Sequence, residues 1–300
     1  GMSIDDVRDT IIVTRVYEDS PAYFEGLMSG DLILKVDSIN VVSMEKKEVI
    51  KLLKGEVNTE VDIHVLRNPG KKKIIFKLRR DNITLKDIPY AGINQNNIGY
   101  IKITKFTKFT SRDFINSLND MSNFGLNGLI IDLRYNSGGL LRQSINILDA
   151  LLPANDMSPI LLRKGRKKEK KYFSINEPSI DTDIPIVVLQ NSRSASASEI
   201  VSGALQDHDR AVVVGQNSFG KGLVQITKTL NDSMKLKITA AKYYLPSGRI
   251  IQKNDYFGNG IFTDGLDKED SLFYTNNGRK VKGGGGVAPD VNLYGVKVLD

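Results

Sequence analysis

Between residues 99 and 215, short apolar segments typical of strands alternate with amphipathic segments typical of helices. The predicted order is strand 99–103, helix 111–124, strand 128–133, helix 140–152, strand 186–190, helix 197–207 and strand 211–215. Because a helix separates each strand from the next, the alternation predicts parallel βαβ units in an α/β fold. Residues 223–230 and 234–244 then alternate around a polar turn and predict an antiparallel hairpin.

A smaller mixed module precedes this region, over residues 11–80. It contains an amphipathic helix pattern over residues 44–54 and two strand patterns that flank Asn68-Pro69-Gly70, a hairpin turn. The βαβ alternation starts only after this hairpin. We therefore predict two domains, residues 1–82 and residues 83–300.

The segment Ser194-Ala195-Ser196-Ala197-Ser198-Glu199 is the strongest candidate for catalysis. It lies where a predicted strand meets a predicted helix, so a hydroxyl is lifted to the sheet end beside helix N-terminal amides. The chain has no cysteine, and His64 and His208 are its two histidines. His208 follows Ser196 by twelve residues, about 18 Å along one helix, and His64 belongs to the other module. A histidine base therefore does not fit this serine.

Lys221 lies between two glycines and is the best remaining base. A lysine in water has a pKa near ~10.4. Burial in an apolar pocket disfavours the charged amine, and the neutral amine accepts a proton from a hydroxyl, so we expect Lys221 to be buried. Gln225 follows four residues later and shares a face with Lys221 if the segment is extended. We expect its amide to hold the lysine amine or the serine hydroxyl.

Two alternatives for Lys221 remain open on these residues. The segment from Gly215 to Lys221 fits the GxxxxGK pattern of a phosphate-binding loop. Gly222 stands where that pattern needs Ser or Thr, and residues 223–230 alternate like a strand where it needs a helix, so we expect no nucleotide. Lys221 and Gln225 also fit ordinary solvated positions.

The loop Asn136-Ser137-Gly138-Gly139 is the candidate partner of the serine segment. It follows a predicted strand, and its glycines allow the backbone to approach a substrate closely. We expect the amide of Ala197 to be one donor to a developing oxyanion and the glycine loop to supply the other.

The net charge of +7 arises from 42 basic and 35 acidic residues. The excess is concentrated at Lys71-Lys72-Lys73, Arg79-Arg80 and residues 163–171, next to Pro69-Gly70 and Gly165. This composition is typical of solvated hairpin turns and lacks the aromatic interleaving of nucleic-acid sites, so we expect no nucleic acid. Without cysteine, thiol catalysis and thiolate metal sites are excluded, and we expect no cofactor. No apolar run approaches the ~20 residues of a membrane-spanning helix.

Together the motifs resemble the C-terminal processing (tail-specific) serine peptidases. The matching segments are residues 194–200, 203–207, 219–225, 132–139, 244–252 and 283–290, with 20–22, 26–27 and 30–33 resembling a PDZ module. The resemblance implies an endopeptidase that cleaves proteins near their C-termini through an acyl-enzyme. The roles that it implies are nucleophile for Ser196, base for Lys221, support for Gln225, and oxyanion binding for Ala197 and for Gly138 or Gly139.

The same resemblance implies a crotonase- or Clp-peptidase-like core and a PDZ module that captures apolar C-terminal tails of protein or peptide substrates. It also implies an extracytoplasmic location, periplasmic or at the cell envelope. The chain shows no signal segment, and Gly1-Met2-Ser3 is typical of an added leader, so we expect a native targeting segment to be missing.

One departure from the family concerns the start of the PDZ module. In such modules the loop that grips the peptide carboxylate precedes the strand corresponding to residues 11–16. Only residues 1–10 precede it here, without the expected apolar-glycine signature. We therefore expect an N-terminally incomplete module. The alternative function is a latent or non-catalytic PDZ scaffold that binds peptides.

Overall fold

The computed structural model describes residues 1–7, 9–83, 85–154, 157–166, 168–231, 234–253 and 271–293. The chain divides into two compact units, Gly1–Leu85 and Lys86–Asp300. The boundary expected from the sequence lies three residues before this division.

The first unit is an antiparallel sheet with two helices. Its strands follow the order β1-β2-β3-β5-β6, and β4 pairs with β3. Val13, Ile33, Val49 and Val65 are fully buried and form the centre of its core. The elements are β1 (Met2–Val7), β2 (Thr10–Val16), α1 (Pro21–Phe24), β3 (Leu32–Val36), β4 (Ile39–Asn40), α2 (Lys46–Leu53), β5 (Glu60–Arg67) and β6 (Lys72–Arg79).

The end of α2 depends on a long-range contact. The Arg80 guanidinium donates to the carbonyls of Leu52 and Leu53 at 3.0 and 3.1 Å. These carbonyls belong to the last turn of the helix, where no further helical amide can reach them. Arg80 therefore satisfies the helix end, directly before Gly55, the residue at which the predicted helix pattern stops.

Strand β1 was not predicted from the sequence. It pairs antiparallel with β2, from Met2 opposite Val16 to Val7 opposite Thr10. Ile4 is its one buried residue, so the segment shows no apolar alternation. Residues 2–7, for which no element was predicted, therefore form an edge strand.

The second unit contains a six-stranded sheet in the order β18-β13-β12-β9-β8-β7, in which all neighbours are parallel except β7 and β8. This arrangement confirms the predicted α/β core. The elements as far as β13 are β7 (Tyr90–Ile93), β8 (Ile98–Lys102), α3 (Thr110–Ser122), β9 (Gly128–Asp132), α4 (Leu141–Asp149), β10 (Leu161–Gly165), β11 (Glu169–Tyr172), β12 (Ile186–Gln190), α5 (Ala197–Asp207) and β13 (Ala211–Gly215).

A second, antiparallel sheet follows the order β11-β10-β15-β14. Strands β14 (Leu223–Thr229) and β15 (Lys235–Tyr244) pair as the predicted hairpin, with Ile226 opposite Ile238, and residues 232–233 of its turn lie outside the described residues. Within the basic segment 163–171, expected to be a solvated hairpin turn, residues of strands β10 and β11 pair antiparallel.

The C-terminal residues were expected to be loops. Those described include three short strands, β16 (Leu272–Tyr274), β17 (Lys280–Lys282) and β18 (Val291–Asn292), while residues 254–270 and 294–300 lie outside the described part. Within the described part of the chain, no helix is long and apolar enough to cross a membrane.

Candidate active site

Two loops meet at the carboxyl end of the parallel sheet. One follows β9 and the other follows β12, and hydrogen bonds join them. The Ala195 N–H donates to the Asn136 carbonyl at 3.0 Å, and the Ser194 hydroxyl donates to the Leu133 carbonyl at 2.9 Å. Carboxyl ends of parallel strands are the usual place for sites in α/β sheets. These hydrogen bonds fix Ser196, which follows Ala195, at this edge of the sheet.

Ser196 has an unusual backbone conformation, with φ 55° and ψ −111°, directly before α5. A positive φ is uncommon for a residue with a Cβ and persists only where the surroundings impose it. Ser196 is partly exposed. Its hydroxyl donates to no acceptor among the residues that the structure describes.

The neighbouring serines differ from Ser196 in burial and in bonding. Ser194 and Ser198 are both buried. The Ser194 hydroxyl donates to the Leu133 carbonyl, and the Ser198 hydroxyl donates to the Asn136 carbonyl at 2.9 Å. The sequence alone left this choice to a family resemblance, whereas the hydrogen bonds distinguish the three hydroxyls. Those of Ser194 and Ser198 donate to loop carbonyls, and that of Ser196 donates to no described acceptor.

A buried carboxylate, Glu199, connects the serine loop to the lysine loop. Its Oε2 accepts from the Ser196 N–H at 2.7 Å and from the Lys221 N–H at 2.9 Å. Its Oε1 accepts from the Ser218 hydroxyl and from the Gly220 N–H, both at 2.6 Å. Complete burial raises the pKa of Glu199 above its ordinary value, and the hydrogen bonds to the carboxylate oppose this effect. One side chain therefore holds the backbone of both candidate catalytic residues.

Tyr243 of β15 makes a second connection between the same two residues. Its hydroxyl donates to the Lys221 carbonyl and lies 3.4 Å from the Ser196 carbonyl. Burial raises the pKa of Tyr243 well above its ordinary value, so the phenol keeps its proton and acts as a donor. Glu199 thus binds the amides of these residues, and Tyr243 their carbonyls.

Lys221 is partly buried, which differs from the apolar enclosure that the sequence analysis expects. Its amine forms no hydrogen bond or ion pair within the described residues, and none with the Ser196 hydroxyl. The chain continues from Lys221 into β14 rather than into a helix, so the phosphate-loop alternative lacks its helix N-terminus.

The backbone amides near Ser196 differ in availability. The Gly138 N–H donates to Asn136 Oδ1 at 2.8 Å and is already used. The N–H groups of Ala197 and Gly139 donate to no acceptor among the described residues. A Cβ added to Gly138 would lie 2.8 Å from Ser196 Cβ and 3.0 Å from the Ala197 nitrogen. The glycine loop therefore lies directly against the serine.

Gln225 and the two histidines are the remaining residues considered in the sequence analysis. Gln225 is in β14 and partly buried, and its amide makes no hydrogen bond within the described part of the chain. His208 ends α5, at the opposite end of this eleven-residue helix from Ser196, and His64 lies in β5 of the other unit. His208 is therefore far from the candidate nucleophile, as predicted.

A charged cluster at the end of β9 was not predicted. The buried Asp132 accepts from Tyr100 at 2.6 Å, from Lys102 at 2.9 Å and from two guanidinium nitrogens of Arg134. Burial alone would raise the pKa of Asp132, but the hydrogen bonds from Arg134, Tyr100 and Lys102 outweigh it and leave the pKa well below its ordinary value. Burial and the bond to Asp132 raise the pKa of Tyr100 to about 12. The cluster anchors the start of the glycine loop.

A second candidate site lies within the first unit. A cavity of about 620 Å³ lies beside β1, the strand at the edge of the sheet. Ile4 of β1 and Ile50 and Leu53 of α2 line it, with the basic residues Lys54 and Arg79 nearby. An edge strand next to an apolar groove can accept an extended peptide as an additional strand.

Two family models match the chain. The model described as peptidase family S41 matches residues 97–265, and the model described as PDZ domain matches residues 12–80. The first covers more than half of the chain and includes every candidate catalytic residue.

Curated relatives agree with these matches. A carboxy-terminal-processing protease of Bartonella bacilliformis is 35% identical over 269 residues, which cover 88% of this chain and 60% of the relative. A probable CtpA-like serine protease of Staphylococcus haemolyticus is 33% identical over 254 residues, which cover 85% of this chain and 49% of the relative. The chain therefore spans about half to three fifths of the length of these relatives.

Solved structures share the fold. A photosystem II D1 C-terminal processing protease superposes with a TM-score of 0.57 at 26% identity, covering 98% of this chain and 71% of that chain. A putative S41 protease of Bacteroides fragilis superposes with a TM-score of 0.60 at 17% identity, covering 83% and 71%. On the strength of the family model, the chain belongs to peptidase family S41 and contains a PDZ domain.

Proposed function

We propose that this chain is a serine endopeptidase that cleaves protein substrates near their C-termini through an acyl-enzyme on Ser196. The observation that carries the proposal is the Glu199 carboxylate, which accepts hydrogen bonds from the N–H groups of both Ser196 and Lys221. These hydrogen bonds hold the backbones of the serine and the lysine at one carboxylate, which binds neither the serine hydroxyl nor the lysine amine. The names of the relatives, proteases that process carboxyl termini, agree with it.

In the proposed mechanism the Ser196 hydroxyl attacks the scissile carbonyl. The neutral Lys221 amine takes the hydroxyl proton and returns it to the leaving amine, which leaves an acyl group on the serine. Water, activated by the same amine, then attacks the acyl-enzyme and releases the new C-terminus. Gln225 is proposed to orient the lysine amine or the serine hydroxyl once a substrate is bound, as the sequence predicts.

The oxyanion of the tetrahedral intermediate is proposed to accept hydrogen bonds from the amides of Ala197 and Gly139. Both amides lack an acceptor in the described part of the chain, whereas the Gly138 amide is engaged by Asn136. Ala197 is the first residue of α5, so the positive end of the helix dipole adds to the stabilisation of the negative charge.

The PDZ unit is proposed to capture substrate tails in the cavity beside β1. The apolar lining fits apolar side chains, and the free edge of β1 offers backbone groups to an extended peptide. Substrates are therefore proteins or peptides with apolar C-terminal tails. We propose an extracytoplasmic compartment on the basis of the family resemblance. No step in this proposal uses a nucleotide, a nucleic acid or a cofactor.

A peptide-binding scaffold is the second candidate. It is favoured by one observation, that the Lys221 amine and the Ser196 hydroxyl form no hydrogen bond with each other. Catalytic hydrogen bonds are often long or poorly aligned in enzymes without substrate and tighten only when the substrate binds.

The test is hydrolysis of an unstructured protein with an apolar C-terminal tail, between pH 6 and 10. We expect hydrolysis to rise with pH, because only the neutral form of the Lys221 amine accepts a proton. Ser196→Ala and Lys221→Ala should each lower kcat by at least ~10³-fold. Normal turnover by Lys221→Ala would disprove the dyad.

Matched controls are Ser194→Ala and Ser198→Ala, which remove hydroxyls that brace the loops. We expect them to lower stability by about 1 to 2 kcal/mol and to retain hydrolysis within roughly tenfold. If the wild type cleaves at no pH while Ser196→Ala binds tail peptides as the wild type does, the chain is a scaffold.

A further inference from the structure

The positive charge of this protein is concentrated in the antiparallel sheet of the second unit. Residues 161–172 and 223–244, which contain its four strands, carry eleven basic and two acidic residues. Their net charge of +9 exceeds the +7 of the whole chain, so the remaining residues together are slightly acidic. An excess confined to one sheet creates a local field that the overall charge does not indicate.

The outer half of the β14–β15 hairpin projects from this sheet. All described residues from Ile226 to Asn231 and from Met234 to Ile238 are exposed, on both faces of the ribbon. Residues opposite each other in an antiparallel pair share a face. The pairs Ile226–Ile238 and Lys228–Leu236 therefore place three apolar side chains and a lysine on one face. Thr227, Thr229, Lys235 and Lys237 alternate onto the other.

The apolar face extends to the tip of the ribbon, where the Leu230 N–H donates to the Met234 carbonyl. Five large apolar side chains on this ribbon are between 38% and 56% exposed: Ile226, Leu230, Met234, Leu236 and Ile238. Single exposed apolar residues are ordinary, but a continuous row on a projecting ribbon marks an interaction surface.

The chemistry of this surface indicates its partner. The apolar row includes Lys228, the opposite face of the ribbon carries Lys235 and Lys237, and no described residue of the ribbon is acidic. This combination matches the boundary between lipid headgroups and acyl chains. The ribbon is only two strands wide, so Lys235 and Lys237 can reach past its edges to the plane of the phosphates. Nucleic acid would match the charge, but it would leave the apolar row exposed to water.

We propose that the β14–β15 ribbon docks on the surface of an anionic lipid bilayer. The apolar face of the ribbon enters the headgroup region, and the lysines of both hairpins of the sheet bind the lipid phosphates. The docking is peripheral, and it is independent of the chemistry at Ser196.

The experiment is flotation of the full chain with vesicles of phosphatidylcholine containing one third phosphatidylglycerol, compared with vesicles of phosphatidylcholine alone. We expect binding to the anionic vesicles at low salt and weaker binding at high salt, because ions screen the lysines. Lys235→Gln/Lys237→Gln should lower the partition coefficient by about 30-fold, at roughly 1 kcal/mol per lysine. Ile226→Ser/Leu236→Ser should lower it by about tenfold.

The matched control is Lys72→Gln/Lys73→Gln, which removes two exposed lysines from β6 in the first unit and should leave the partition coefficient unchanged. Melting curves of each variant identify any loss of folding. The proposal is overturned if the wild type does not float with anionic vesicles, or if the control loses as much binding as the ribbon variant. Binding that depends on the lysines but not on the apolar residues would also overturn it, because the apolar face would then not enter the headgroup region.

Discussion

At the scale of single residues, the most consequential side chain is one that would not touch the substrate. Glu199 is completely buried and makes no ion pair among the described residues; its four hydrogen-bond donors are three backbone amides and the Ser218 hydroxyl. Each carboxylate oxygen can accept two hydrogen bonds, so four donors use the full accepting capacity of Glu199. We therefore interpret Glu199 as a positioning residue that sets the distance between the serine and lysine loops.

The substitution Glu199→Gln tests this interpretation at nearly constant volume. The amide keeps one acceptor oxygen but turns an NH₂ group toward two of the four donors. Because two donors cannot bond to each other, the serine and lysine loops must separate at that point. We expect kcat to fall by about 100-fold or more with little change in KM, because the reacting groups are misplaced while tail capture is unchanged.

The matched control is Glu169→Gln, an exposed carboxylate in β11, which should leave both kinetic constants unchanged. A Glu199→Gln variant with wild-type kcat would show that the hydrogen bonds of Glu199 are not needed to align the serine and lysine loops. If the variant has lost the near-UV spectrum of the folded protein, its lower activity reflects unfolding rather than misalignment. Urea titration separates these two effects.

At the scale of elements, the glycine loop after β9 determines how closely the backbone approaches the serine. Gly138 has a φ of +96°, and a Cβ there would lie 2.7 Å from the Ala195 carbonyl oxygen. Both the conformation and the space exclude a side chain. The neighbouring residue, Gly139, has the free amide that we propose as an oxyanion donor.

We expect Gly138→Ala to displace this loop and to lower kcat by about 100-fold, the range found when an oxyanion donor is lost. Gly278→Ala is the control for backbone strain alone, because Gly278 has a φ of +81° and no atom within 4 Å of an added Cβ. Both variants should lose roughly 1 kcal/mol of stability from the unfavourable φ. Equal activity in the two variants would contradict a role of the loop in catalysis.

At the scale of the whole molecule, Asp132 is one of the groups whose shifted pKa makes the stability of the fold depend on pH. A carboxyl with a lower pKa in the folded state than in the unfolded chain stabilises the fold fully above its ordinary value of 3.8. The contribution is lost as the pH falls, because protonation then favours the unfolded chain. Acidification should therefore weaken the anchor of the glycine loop.

The variant Asp132→Asn leaves Lys102 and Arg134 without their buried carboxylate. We expect the free energy of unfolding at pH 7 to fall by about 2 kcal/mol, because charge-assisted hydrogen bonds to partly exposed cations are lost. The difference in the free energy of unfolding between variant and wild type should shrink as the pH falls below about 4, where the ionised Asp132 no longer stabilises the folded state. Urea denaturation at several pH values measures this, and a difference independent of pH would contradict the assignment.

The sequence by itself determined the α/β core and the identity of the candidate residues. The patterns of the strands and helices of the parallel core are local, because each depends on the spacing of apolar residues within one element. The structure confirms β8, α3, β9, α4, β12, α5 and β13 within a few residues. Strand β1 could not be found this way, since it is held by pairing with β2 and carries a single buried residue.

Only the tertiary structure decided how the candidate residues are arranged. Three serines stand at alternate positions with the same chemistry, and only the carbonyls of Leu133 and Asn136, about sixty residues away in the chain, distinguish Ser196 from the others. The role of Glu199 depends in the same way on amides more than twenty residues further along the chain. Periodicity reports the environment of one segment, whereas hydrogen bonds between loops exist only after the strands that carry those loops have been placed side by side.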